Sequence, residues 1–346
     1  MELFDKTKMK TLSLSNRISK CNIREIAINP DTPVKEISCP EIIDKVADSI
    51  LKAKKNNKAI IIAFGAHLIK NGLCLILRKM VEEGYVTHLA TNGASSIHDW
   101  EFSYQGKSEE DVEKYVNIGQ FGIWEETGKY LNLAIISGAY REIGYGESIG
   151  EMIAKDRITI PKSLINEKLK DNDIKPGVIK INHPYKEYSI FECCYKNKVP
   201  ITVHPGFGYD IIYTHALNDG ASIGKASEID FLGFVASVSN LEGGVYISIG
   251  SAIMSPMIFE KALSMARNVA IQEERKINNF MIVVNDIKGS VWDFNSKEEP
   301  PKSNPAYYER LCKSFKRMGA REMYYVNADN REFLLNLYHK LKEKEE

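Results

Sequence analysis

Residues 58–64 read Lys-Ala-Ile-Ile-Ile-Ala-Phe and run without a break into Gly65-Ala66-His67. An apolar run of strand length with no polar alternation fits a strand covered on both faces, as in a parallel sheet. Ile69–Gly84 follows with helical periodicity and ends on a glycine suited to a helix C-cap. Val86–Thr91 (VTHLAT) then reads as a second strand, broken by Asn92-Gly93.

The same alternation continues outward. Ser108-Glu109-Glu110-Asp111 has the form of a capping box at a helix start, and Phe121–Ala154 reads as mostly helical, interrupted at Gly138 and at Gly144-Tyr145-Gly146. Short strands are expected at Val178–Ile181, Pro200–Val203, Gly244–Ile249, Phe280–Val284 and Glu322–Val326. Helical stretches separate them, among them Ser189–Lys198, a helix from Pro256, Ala306–Met318 and Glu332–Lys342. Strands spaced by helices pair in parallel through right-handed crossovers, so the expected fold is α/β with a doubly wound, mostly parallel sheet. Residues 1–40 carry few such signals and read as an N-terminal arm that packs on a neighbour; residues 41–346 read as one domain.

Composition narrows the function. The 346 residues hold 46 basic and 46 acidic side chains, a formal net charge of zero. That balance argues against nucleic acid or an anionic membrane as the main partner. The polar start and the short apolar runs give neither a secretory leader nor a span, which points to the cytoplasm. The six cysteines at irregular spacing (Cys21, Cys39, Cys74, Cys193, Cys194 and Cys312) read as free thiols acting as small hydrophobes.

Ligands of an open parallel sheet bind at the carboxyl ends of its strands. The turns there are Gly65-Ala66-His67, Thr91-Asn92-Gly93-Ala94, His204-Pro205-Gly206, Gly250-Ser251-Ala252 and Asn285-Asp286. One such turn needs small residues for steric reasons alone; several on one edge favour a nucleotide or dinucleotide, although neither a G-x-G-x-x-G fingerprint nor a P-loop is present. The candidate acid–base groups near these ends are His98, Asp99, Glu125, His204, Asp210 and His215. Imidazole and carboxylate also suit a metal, but His204, Asp210 and His215 match no standard ligand motif, and no metal is assigned. Ser95-Ser96 beside His98 lacks a nucleophile elbow.

Taken in order, these turns resemble deoxyhypusine synthase and its relatives. The carrying stretches are Phe64-Gly65-Ala66-His67-Leu68-Ile69-Lys70-Asn71-Gly72, then Thr91-Asn92-Gly93-Ala94 and Asn197–Val203 with Pro205 and Asp210. Gly250-Ser251-Ala252 and Asn285-Asp286-Ile287 complete a match over about residues 58–290. The resemblance implies a Rossmann-like fold, NAD at the strand ends and a homotetramer with active sites at subunit interfaces. By position its NAD contacts fall on Gly65, Ala66, His67, Thr91, Asn92, Gly93, Gly250, Ser251 and Asp286. The family's Trp-Gly-Lys, whose lysine forms the covalent imine, has no counterpart: Lys288 and Lys297 flank Trp292 without that spacing. Ser255-Pro256 stands where the family has a histidine pair.

The resulting expectation is an NAD-dependent enzyme that dehydrogenates a small polar substrate, with group transfer or elimination as an optional later step, and does not make deoxyhypusine. An amine is the favoured substrate class. In it His204 or His98 is the base, and Asp99 or Asp210 orients it or holds a cation. Two other readings stand beside it: a metal-dependent hydrolase or lyase built on the His/Asp cluster, and a nucleotide-binding protein without catalysis.

Overall fold

The structure is a computed structural model that describes residues 1–346 apart from Glu36, Ser290, Val291, Asn295, Lys297 and the side chain of Cys312. The readings placed on Lys297 and on the Cys312 thiol therefore lie outside the described residues. Among the described residues there are ten strands: β1 (Ser19–Asn22), β2 (Ile60–Phe64), β3 (His88–Thr91), β4 (Lys107–Glu110), β5 (Arg157–Ile160), β6 (Gly177–Lys180), β7 (Ile201–Val203), β8 (Val245–Ile249), β9 (Met281–Asp286) and β10 (Glu322–Asn327).

Six of them form one sheet in the order β10-β9-β8-β2-β3-β7, and every neighbouring pair is parallel. Counted along the chain, the order is third-second-first-fourth-fifth-sixth, that of a doubly wound dinucleotide-binding sheet whose switch point falls between its first and fourth strands. Here those are β2 and β8.

Period-two alternation sends neighbouring side chains to opposite faces. Ile60, Ile62 and Phe64 join the core on one face, which also holds buried residues of the Pro40–Lys55, Cys74–Glu82 and Asn330–Glu345 helices. Ile61 and Ala63 join the other, with residues of the Gly220–Ser239 and Met254–Gln272 helices. Both faces are dry, which is why β2 reads as continuously apolar. At the switch point the turns after β2 and β8 touch: the Gly65 N–H donates to the Ile249 carbonyl at 3.1 Å, and a Cβ at Gly65 would stand 2.3 Å from the Gly250 carbonyl oxygen.

The long excursion between β3 and β7 departs from expectation in several places. Ser108–Glu110 belongs to β4, an extended segment paired antiparallel with β1 of the arm; the helix cap is Asp111, which accepts from the Lys114 N–H. β6 lies outside the main sheet and pairs antiparallel with β5. Gly138 sits inside the Glu125–Tyr140 helix rather than breaking it. At the sheet's end, Asp230 accepts from the Val203 N–H (2.7 Å) and the Gly146 N–H (2.9 Å), tying β7 to the Tyr145–Lys155 helix.

The arm packs against the rest of its own chain. Leu14 and Ile23 are buried, and β1 pairs with β4. Cys74, Cys193 and Cys194 are buried free thiols, and Cys21 and Cys39 are partly buried free thiols. Among the described residues no helix is long and apolar enough to cross a membrane.

The Gly65 contact has a measurable cost. Gly65→Ala is expected to lower unfolding free energy in urea by about 2–3 kcal/mol, because a backbone carbonyl cannot move aside as a side chain can. Gly224, exposed and in helix, has free space where a Cβ would go; Gly224→Ala should raise stability by about 0.5–1 kcal/mol.

Candidate functional site

The turns after β2 and β8 ring the switch point. Ala66 is partly exposed, His67 and Gly250 are exposed, and Ser251 accepts the Ser255 N–H through its hydroxyl at 3.2 Å. Gly250 has φ +54°, and the space where its Cβ would stand is open. On the next strand the Asn285 carbonyl accepts the Gly250 N–H, while Asn285 Oδ1 is a buried acceptor without a partner among the described residues. Asp286 follows, partly exposed, its carboxylate accepting the Lys288 N–H.

The turn after β3 is built differently. The Thr91 hydroxyl is buried and donates to the Phe64 carbonyl at 2.9 Å, tying β3 to β2. Asn92 caps the Gly93–Gln105 helix by accepting the Ser95 N–H at 3.1 Å. Gly93 is covered by the Asp210 carboxyl group, whose atoms would lie 2.4–2.9 Å from a Cβ there. Burial pushes Asp210 up to about 6, only partly offset by the Gly206 N–H that it accepts. The Thr91 hydroxyl and the Asn92 Oδ1 are thus engaged within the protein, and an acidic group already stands at Gly93.

Beside this turn lies a cavity of about 220 Å³, lined by His98, Glu101, Glu109, Glu110 and Asp210 together with Arg17 and Lys70. Ala94 and Ile97 also line it, so it opens next to the sheet's carboxyl edge. Glu101 is 1% exposed and all its acceptor sites are used. Arg17 donates to both of its oxygens at 2.8 and 2.7 Å, the Ser108 hydroxyl donates at 2.6 Å and the Thr127 hydroxyl at 2.9 Å. Burial alone pushes this carboxylate up; Arg17 outweighs it and leaves Glu101 below its ordinary range. Glu110 shifts the other way, raised by burial despite the Trp124 indole N–H donated to it at 2.8 Å. Glu109, raised by burial, is brought below its ordinary value by the Cys21 thiol and by Lys70 at 3.1 Å.

Proton arithmetic fixes the His98 tautomer. Ser108 has one hydroxyl hydrogen and gives it to the ionised Glu101, so its oxygen, 2.7 Å from His98 Nδ1, must accept an Nδ1–H. The Nε2 lone pair of His98 is then bare, with no hydrogen-bond partner among the described residues. Burial holds the ring neutral, its pKa lowered to about 4.

The other predicted site residues go elsewhere. Asp99 is 1% exposed and accepts the Ser189 hydroxyl and the Ile190 N–H, capping the Ile190–Asn197 helix; it orients that helix and no base. Burial raises it to about 7. Glu125 accepts from Thr11 of the arm at 2.6 Å and pairs with His215 at 3.3 Å; the His215 contact does most to lower it to about 2. It lines a second depression that also holds Lys6 and Thr7, apart from the edge turns. His204 stands just past β7, its N–H on the Thr91 carbonyl. Among the described residues no three His, Cys, Asp or Glu side chains could hold a metal ion, so His204, Asp210 and His215 do not form a ligand set. Ser95 and Ser96 bond to Asn92, Thr91, Gly93 and Tyr145, not to His98.

Sequence reasoning missed Arg17, Lys70, Glu101, Glu109 and Ser108. Glu101 carried a signal, since it lies three residues after His98 on one helical face. Arg17, in an arm without periodicity, carried none.

The sequence matches no protein-family model and no curated protein. Among solved structures the chain is similar to AgrE, with TM-score 0.49 and 16% identity over 90% of this chain, and it spans 34% of the length of AgrE. One AgrE structure is a ternary complex with ornithine and NAD+. It is similar to an LOR/SDH protein from Methanococcus maripaludis S2, with TM-score 0.48 and 16% identity over 92% of this chain and 74% of that one. A protein described as a deoxyhypusine synthase from Entamoeba histolytica gives TM-score 0.42 and 11% identity over 91% of this chain and 95% of that one.

Arg17→Met leaves Glu101 charged and buried without its partner, and should cost about 3–5 kcal/mol in denaturant unfolding, with faster proteolysis of the arm. His98→Gln should blunt the loss of stability between pH 7 and pH 5. The unfolded histidine takes up a proton near its usual pKa of about 6.5 while the folded one does not, so the neutral ring disfavours the folded state only below that pH. Equal acid sensitivity of parent and variant would count against a neutral His98.

Proposed function

We propose that this protein is an NAD-dependent enzyme that dehydrogenates a small, amine-bearing polar substrate. The observation that carries the reading is the juxtaposition of a third-second-first-fourth-fifth-sixth parallel sheet with an acid-rich cavity at its carboxyl edge. Gly65, Ala66, His67, Gly250, Ser251 and Asp286 would hold the cofactor across the switch point. The open space at Gly250 and the unpartnered Asn285 acceptor fit a ligand there. Thr91, Asn92 and Gly93 are left out of that set, because the Asp210 carboxylate would repel a phosphate above pH 6 or so. NAD would supply the hydride acceptor, and the protein would supply orientation and a base.

The substrate would occupy the cavity of about 220 Å³, smaller than the ~300 Å³ at which drug-sized pockets begin. Four carboxyl groups against two basic side chains favour a cationic amine, and Glu101 is already committed to Arg17. His98 would accept the substrate proton at Nε2, with Nδ1–H held by Ser108. Asp210 would face the amine. The absence of the Trp-Gly-Lys lysine removes the covalent imine of deoxyhypusine synthesis. The chemistry proposed is dehydrogenation, with any later transfer or elimination left to the substrate's own leaving group.

Calorimetric titration with NAD+ tests the cofactor. One site per chain is expected, and Gly250→Asn, which tolerates positive φ but fills the open space, should weaken it about tenfold, or 1.4 kcal/mol. No binding by the parent protein at millimolar NAD+ would sink the reading. In an NADH-absorbance screen of small amines, His98→Gln should lower kcat by about 10²–10⁴-fold with NAD+ affinity unchanged.

A further inference from the structure

His88 has no part in the reading above, yet it is a fully buried imidazole with both nitrogens engaged. Its Nδ1 lies 2.7 Å from the Ser237 hydroxyl and its Nε2 lies 3.0 Å from the Thr202 hydroxyl. The same Thr202 oxygen lies 3.0 Å from His204 Nε2. The pairing of Ala90 with Thr202 in neighbouring strands places His88, Thr202 and His204 on one face, beneath the Gly220–Ser239 helix. Phe234 from that helix meets both rings edge-on, 5.5 Å from His88 and 5.4 Å from His204. The chain of contacts begins at partly exposed His204 on the carboxyl edge and ends at partly exposed Ser237.

We propose that His204, Thr202, His88 and Ser237 form a proton relay between the carboxyl edge of the sheet and the surface at Ser237. Thr202 has one hydroxyl hydrogen between two imidazole nitrogens, so one Nε2 donates to it and the other accepts from it. Two arrangements satisfy every group. In one, His204 Nε2–H donates to Thr202, Thr202 donates to His88 Nε2, and His88 Nδ1–H donates to Ser237. In the other, each of these bonds runs the opposite way and His204 carries its proton on Nδ1.

A proton arriving at His204 Nδ1 converts the first arrangement into the second. The Nε2–H of His204 passes to the Thr202 oxygen, the Thr202 hydrogen passes to His88 Nε2, the Nδ1–H of His88 passes to the Ser237 oxygen, and the Ser237 hydrogen leaves to water. One proton enters, one leaves, and every atom ends with its original valence and no change of redox state. Burial favours this neutral passage over storage, since it lowers the pKa of both rings to about 3. The inference rests on the proposed function only for its use, since chemistry at the edge is what would feed the relay; its test needs neither NAD nor substrate.

Long-range ¹H–¹⁵N correlation spectra of histidine-labelled protein report which ring nitrogen carries the proton. At pH 7 both rings should be neutral, with complementary Nδ1–H and Nε2–H populations. Ser237→Ala removes the acceptor of the His88 Nδ1–H. It should shift His88 towards Nε2–H and, two links away, His204 towards Nδ1–H. Thr202→Val in the Ser237→Ala background should abolish the shift at His204, and Thr202→Ser should keep it, which also serves if the valine variant folds poorly. A charged ring at either position, protons on the same nitrogen of both rings, or a His204 that ignores Ser237→Ala would overturn the relay. A failed NAD+ titration with the tautomer coupling intact would instead sink the proposed function alone.

Discussion

Five residues, Ile60–Phe64, carry no polar side chain, and the fold follows from burying both their faces at once. Parallel neighbours on each side and helices above and below achieve that burial. The chain builds outward from β2 through β3 and β7, then returns past them to place β8 on the other flank. At that reversal the helices that follow β2 and β8 depart to opposite faces, and a crevice opens between the two turns. The contact of Gly65 with the Gly250 carbonyl sets how closely the turns approach, and so how the crevice is shaped. The groups proposed to hold the cofactor on these two turns depend on this one constraint.

The cavity proposed for the substrate depends on a different interaction. A carboxylate as buried as Glu101 is tolerable only because a guanidinium and two hydroxyls satisfy it completely. Its partner Arg17 comes from the arm, so the arm is part of the cavity wall. The polarity of that network passes through Ser108 to His98 and decides which nitrogen is bare. A lysine at position 17 could neutralise the charge but not reproduce the two-pronged geometry that leaves Ser108 free to point its hydrogen at Glu101.

The parallel sheet was legible because its signal is local: apolar runs of strand length, small-residue turns and helical periodicity between them. The excursion between β3 and β7 was less so. Ser108–Asp111 has the composition of a capping box, but pairing with β1 of the arm draws it into a strand, a long-range contact that no window along the chain contains. The site divides in the same way. The turns at Gly65 and Gly250 could be placed from the sheet alone. Asp99 lies one residue from His98 in sequence, but one residue along a helix turns a side chain by about 100°. It faces the Ile190–Asn197 helix instead. His88 was passed over as a strand residue, although the alternation of His88 and Ala90 against Thr202 and His204 was already in the sequence.

Asp230 closes the sheet at β7. Its carboxylate takes the Val203 N–H on the strand's outer side, while the Ile201 carbonyl lies against the Cα of Gly146. With the Val203 N–H taken and the Ile201 carbonyl covered, this three-residue strand is a blunted template for an incoming chain. The protein is thereby guarded at this end against edge-to-edge aggregation. Burial pushes this carboxyl up to about 8, and the backbone N–H groups it accepts act against that rise.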